Sequence, residues 1–86
     1  MRPSQNTIYQ VLDTDHEITK LRKNARLTQE ALARAIGITV STIRRWEQGQ
    51  CEPTMQIWQM KAFCEAVNVQ FEQLPPFLVR FNNCSR

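Results

Sequence analysis

Apolar residues recur along this chain at three- and four-residue steps in separate runs, the spacing of amphipathic helices rather than of strands. Ile18, Leu21 and Ala25 form the first stripe and predict a helix from about Glu17 to Asn24, capped by Thr14 or Asp15. Ala31, Leu32, Ala35 and Ile36 predict a second over Gln29 to Ile36, and Ile43 and Trp46 a third over Val40 to Gln48. Ile57, Met60, Phe63, Cys64 and Val67 make the fourth stripe, with Thr54 as its cap and Trp58 off the stripe. A short fifth helix is predicted over Phe71 to Leu74, where Pro75 and Pro76 stop it.

The punctuation between the second and third runs is dense. Thr28 and Thr39 each stand just before a helical run, where a hydroxyl can accept from an unpaired backbone N–H. Gly37 and Gly49 stand just after one, where the chain commonly turns through positive φ. Asn68 fills the same place after the fourth run, and Ile38 is placed to plug the gap between helices two and three. Thr28 to Glu47 therefore reads as two short helices joined by a tight turn.

The solvent side of the third helix carries the candidate chemistry. Val40, Ser41, Arg44 and Arg45 share that side, with Thr42 and Gln48 at its margins. Hydroxyls and arginines on the second helix of such a pair outline a helix-turn-helix that lays this helix in the DNA major groove. An arginine can grip guanine O6 and N7 with two parallel bonds, and Arg45 is the first choice for that role. Arg44 is expected to reach a phosphate or a base. Simple attraction to the DNA backbone is the alternative for both arginines. Ser41 can bond several bases, and Val40 can pack on a thymine methyl. Thr28, Gln29 and Thr39 lie at helix starts, where N–H groups and the positive dipole end meet phosphate oxygens. Thr42 is added as a fourth phosphate contact; capping is compatible with that role for the threonines at helix starts.

The pattern resembles the lambda-repressor-like, or xenobiotic-response-element, helix-turn-helix family. The residues that carry the resemblance are Leu21-Arg22, Leu27 to Ala33, Ile36 to Thr39, Ser41 to Ile43, Glu47, Gly49 and Pro53, continuing to Val67, Val69 and Leu74. The resemblance spans residues 17 to 74 and implies an all-α fold of five short helices. It also implies that Gln29 and Thr39 touch phosphate, that Val40, Ser41, Arg44 and Arg45 face the groove, and that Arg22 pairs with Glu47. Two features depart from the family pattern. The stretch from Pro53 to Val67 is longer than the commonest spacing, so the fourth helix is expected to start late, and both termini extend past the usual domain.

Charge sharpens this picture. The 86 residues carry a net charge of +3. Residues 1–15 sum to −1, residues 16–50 to +4 and residues 51–86 to zero, counted from their Lys, Arg, Asp and Glu. The positive charge thus gathers in and just before the helix-turn-helix, as expected of a protein that neutralises phosphates. A solvated helix surface alone would also expose Lys20, Lys23, Arg26 and Arg34.

The rest of the composition excludes more than it assigns. Three cysteines, Cys51, Cys64 and Cys84, and the single His16 lack metal-type clustering, so neither a metal nor a cofactor is expected. Free thiols are expected, with Cys64 as a small core residue and Cys51 in a loop. No Ser/His/Asp or Cys/His set and no glycine-rich phosphate loop stands out, and an enzyme is not expected. Neither a spanning apolar run nor a secretory leader is evident, so a cytoplasmic protein of bacterial or phage type is expected.

The ends organise around the 16–74 core as an arm, 1–15, and an extension, 75–86. Residues 7–12 and 77–81 are rich in strand formers and are candidate short strands. Paired within one chain or between two, they would close a sheet; unpaired, they are loose tails. The expected partner is double-stranded DNA, bound by a homodimer. An antitoxin or accessory protein whose main partner is another protein is the first alternative, and a nonspecific nucleic-acid binder the second.

Overall fold

The computed structural model describes residues 9–79. Within these residues four α-helices follow one another: α1 (Glu17–Asn24), α2 (Gln29–Ile36), α3 (Val40–Glu47) and α4 (Ile57–Val67). A single 3₁₀ turn, Phe71–Gln73, comes after α4. The fold is all-α, with this turn standing where a fifth helix was expected.

The four helices end alike. Arg26, Gly37, Gly49 and Asn68 adopt φ of 60°, 72°, 76° and 63°. After each, the next N–H reaches back five residues: Leu27 to Arg22, Ile38 to Ala33, Gln50 to Arg45 and Val69 to Cys64, all at 3.0–3.1 Å. This bond satisfies a carbonyl that the helix end leaves open. Gly37 has a second reason to lack a side chain. A Cβ there would sit 2.9 Å from Cη2 of Trp58.

The starts are less uniform. Thr28 Oγ1 accepts from Ala31 N at 3.0 Å, and Thr39 Oγ1 from Thr42 N at 3.3 Å. α1 begins at Glu17 as expected, but its cap is His16 rather than Thr14 or Asp15. Asp15 turns away instead, accepting from Leu12 N at 2.9 Å and Lys23 Nζ at 3.0 Å. α4 starts late, as its spacing suggested, but its cap is Gln56 rather than Thr54. Gln56 N donates to Gln59 Oε1 at 2.8 Å, while Gln59 Nε2 reaches Ile36 O at 3.0 Å and ties α4 to the end of α2.

Ile18, Leu32, Ala33, Ile36, Ile43, Trp46, Phe63, Val67 and Val79 form the core. Ala33 takes the buried place expected of Ala35, which is exposed. Ile57 belongs to the apolar stripe of α4 by spacing but is exposed, because it stands at the helix start beyond the last core layer.

The described parts of the terminal segments contribute without forming strands. Residues 9–12 and 77–79 contain no strand; positions 7–8 and 80–81 of the candidate strands lie outside the described residues. Leu78 O accepts from Ile18 N at 2.9 Å, satisfying a donor in the first turn of α1. Val79 is buried against the core beside it. At the other end, Lys23 Nζ holds Gln10 O at 3.0 Å, and the Arg26 guanidinium lies over the Tyr9 ring, 5.1 Å from its centroid.

Candidate nucleic-acid interface

The α2–α3 pair is braced from behind by a buried polar cluster. Arg22, in α1, donates through Nε to Glu47 Oε2 at 2.6 Å and through Nη2 to Glu47 Oε1 at 3.0 Å. Its Nη1 donates to Leu27 O at 2.8 Å, in the loop before α2. Both side chains are only 7% exposed. Gln29, the first residue of α2, donates Nε2 to Glu47 Oε1 at 3.0 Å. One carboxylate, the last residue of α3, therefore fixes three elements at once. Two parallel bonds from a planar guanidinium set orientation as well as distance.

The surface on the other side of α3 is exposed and cationic. Ser41, Arg44 and Arg45 are exposed there. Val40 is half-buried and leans on the core, so less of it faces outward than the helical spacing alone suggested. Arg44 Nη2 lies 3.8 Å from Glu30 Oε2, with both side chains well exposed. The Arg45 guanidinium makes no hydrogen bond or ion pair among the described residues, which leaves all its donors to solvent or a ligand.

Each residue expected at phosphate has a partner inside the protein. Thr28 caps α2. Thr39 caps α3, and its hydroxyl shares a 3.0 Å bond with that of Thr42. The Gln29 amide keeps one N–H and its carbonyl oxygen beyond its bond to Glu47. These engagements orient the groups at the starts of α2 and α3 without using up their capacity to bond.

Several contacts around the site have no local signal in the sequence. The Gln29–Glu47 bond, the Arg44–Glu30 pair and the Trp58 ring over Gly37 all join different elements. His16 likewise approaches the end of α3: a Cβ on Gly49 would come 2.8 Å from its Nε2. The Gln59 contact was partly legible, since Gln56 and Gln59 have capping-box spacing.

Burial raises the Cys64 thiol above its ordinary value, and the Glu72 charge adds to this. Cys64 and the half-buried Cys51 are free thiols. Among the described residues, no three His, Cys, Asp or Glu side chains cluster as metal ligands, and no helix is long and apolar enough to cross a membrane.

Comparison with curated proteins and with solved structures returned no match. A family model described as helix-turn-helix matches residues 18–74, which hold α2, α3, α4 and all of α1 but its first residue, both capping threonines and the Arg22–Glu47 brace. The chain belongs to the lambda-repressor-like helix-turn-helix family of DNA-binding proteins.

Proposed function

We propose that this protein is a sequence-specific transcriptional regulator that reads the major groove with α3 and acts without catalysis. The observation that carries the reading is the contrast on α3 itself. Its last residue is locked to α1 and α2 through Glu47, while Ser41 and Arg45 stand exposed on the other side. A rigid helix with an unengaged guanidinium suits bidentate recognition of guanine, and each such pair discriminates by about 1–3 kcal/mol. Val40 supplies apolar contact at the groove edge. Arg44 exchanges Glu30 for a phosphate. Thr28, Gln29, Thr39 and Thr42 hold the backbone at the starts of α2 and α3, where N–H groups and the helix dipoles favour an anion.

One such unit spans few base pairs. Two copies on half-sites about 34–36 Å apart would read a palindrome. A cytoplasmic regulator of bacterial or phage type fits this reading.

Selection from a random DNA pool, then titration of the selected site against scrambled DNA at fixed salt, tests it. The expected result is a palindromic motif whose preference falls by about tenfold or more in Arg45→Ala, in line with one lost bidentate pair. Equal binding to scrambled DNA, with the salt slope carrying all the affinity, would instead identify a nonspecific binder.

A further inference from the structure

The face of the molecule built from α4 and the segment after it carries an apolar surface that the DNA reading does not use. Ile57, Phe71 and Phe77 are 78%, 64% and 63% exposed. Two shallow hollows join them. Met55, Ile57, Met60 and Phe71 line one, and Met60, Phe71, Pro75 and Phe77 line the other, so the apolar surface runs unbroken across Met60 and Phe71. No residue of α2 or α3 lines either hollow. Lys61 and Glu65 edge the first hollow one turn apart on α4. Neither forms an ion pair among the described residues, and Lys before Glu is the weaker order for pairing within a helix. Glu52 stands at the far end, on the Phe77 side.

We propose that this surface binds a second copy of the same chain about a two-fold axis, with the two α4 helices crossing antiparallel. The proposal rests on the homodimer reading above and names the surface that makes the dimer.

Two observations select a second copy over another partner. The first is charge. In an antiparallel crossing centred between Lys61 and Glu65, each copy sets its Lys61 against Glu65 of the other. A two-fold contact needs a patch that complements itself, and one basic and one acidic residue one turn apart meet that need. The second is area. Three large side chains exposed to this degree, with two methionines, offer roughly 400–500 Å² of apolar surface per copy, on the scale of 150–250 Å² for a fully buried aromatic ring. Two copies together cover roughly 800–1,000 Å², and the polar edges bring the contact to the ~1,000 Å² that a specific interface requires. A contiguous apolar patch of that area is as large as the largest on a typical monomer, and such patches are often functional. Because α2 and α3 lie outside the contact, both recognition helices stay open to DNA.

Sedimentation equilibrium of the full chain without DNA tests the surface. The wild-type chain is expected to dimerise reversibly. Ile57→Glu should weaken association by about tenfold or more, since it places a charge in the apolar part of the contact, at the most exposed of its large side chains. Position 57 is exposed, so the fold should survive; an unchanged helical circular dichroism melt verifies this. The pairing itself is read from charge reversal. K61E leaves two acidic groups at the edge and E65K two basic ones, so each alone should dimerise weakly. Mixed together they should associate about as well as wild type. A wild-type monomer at all concentrations, a dimer indifferent to Ile57→Glu, or a mixture no tighter than its components would each overturn the proposal. If the wild-type chain dimerises in this way but selects no DNA site, the DNA reading fails and the surface stands.

Discussion

On the side of α2 and α3, the side chains that meet solvent are mostly polar, among them hydroxyls, amides, guanidinium groups and the Glu30 carboxylate, many of them already bonded within the protein. On the side of α4 and the segment after it, the large apolar side chains of Ile57, Phe71 and Phe77 stand exposed among polar ones such as Lys61 and Glu65. The first half gives Leu32, Ala33, Ile36, Ile43 and Trp46 to the core and adds directional bonds to that burial: Arg22 to Glu47, Gln29 to Glu47, and the two threonine caps. The second half is held by burial, with Phe63, Cys64, Val67 and Val79 packed inward. The difference teaches what each face requires. Reading a base edge needs donors fixed in angle, whereas association through α4 needs only area and a rough match of charge.

If directional bonds hold the recognition half, removing one partner of the buried pair should do the most damage. Arg22→Met leaves the Glu47 carboxylate buried without its counter-charge, at a cost of about 3–5 kcal/mol. Urea denaturation should show a loss of that size, a large share of a small domain's stability. Adding Glu47→Leu should recover much of it, since an apolar pair of similar volume often substitutes for a buried ion pair. The double variant should nevertheless bind DNA poorly, because Gln29 and the end of α3 lose their common anchor. If it binds as wild type does, the brace does not position the recognition helix.

That pair also marks how far the sequence alone could go. The helix-turn-helix was legible because its signals are local. Thr28, Gly37, Thr39 and Gly49 each act within a few residues of their own position, and the observed helices begin and end beside them. The Arg22–Glu47 contact joins residues far apart in the chain, and no spacing rule connects them; the family resemblance alone supplied it. Ala33 and Ala35 were not separable by periodicity on a helix of two turns, and only packing in the core decided between them. Thr54 looked like a cap by residue type, but the backbone turns helical two residues later, where a pair of glutamines does the work. In the C-terminal segment, the described apolar residues serve the helices rather than a strand. Val79 enters a helical core, and Leu78 offers its carbonyl to the start of α1 rather than to another strand.

Val79 gives the matching test in the half held by burial. It is 3% exposed and comes from the segment beyond the usual domain. Val79→Ala removes about two methylene equivalents from the core, at about 0.8 kcal/mol each plus a cavity term, so a loss of about 2 kcal/mol is expected. The same denaturation measurement reads it. DNA affinity at a temperature where the variant is folded should stay unchanged, in contrast to the Arg22 variants. A drop in affinity without loss of fold would mean that the extension reaches the recognition half.

Gly37 tests the seam between the halves. Gly37→Ala would hold an L side chain at φ 72° and bring its Cβ to within 2.9 Å of Trp58 Cη2. The backbone strain costs about 1–2 kcal/mol. Trp58 is more than half exposed and can swing aside, so the ring contact adds less than the backbone does. Its fluorescence should therefore shift in Gly37→Ala while that of buried Trp46 does not. Adding Trp58→Ala should relieve only the contact. Full recovery of stability in the double variant would show that the ring, not the left-handed turn, excludes a side chain at this position.

The smallest effect is expected at Asp15, where the arm meets the recognition half. Burial acts to raise its carboxyl, but the Leu12 N–H, then the bond and charge of Lys23 and the charge of Arg22, outweigh this and hold it below its ordinary value of 3.8. The native state therefore favours the ionised form. The contribution is fully present above the ordinary value and is lost as pH falls through the lowered one. Stability of the wild-type chain should decline in that acid range relative to Asp15→Asn, which cannot titrate. The two curves should run parallel from about pH 5 upward, separated by about 1 kcal/mol or less, since a single ion pair near the surface contributes little. The Leu12 amide resonance, bonded to this carboxylate at 2.9 Å, should titrate over the same range in the wild-type chain alone. If it moves while the DNA affinity of Asp15→Asn remains at the wild-type level, the arm is fastened to α1 independently of the recognition surface, and the polar bonds on this side divide into those that hold the reader and those that hold only the arm.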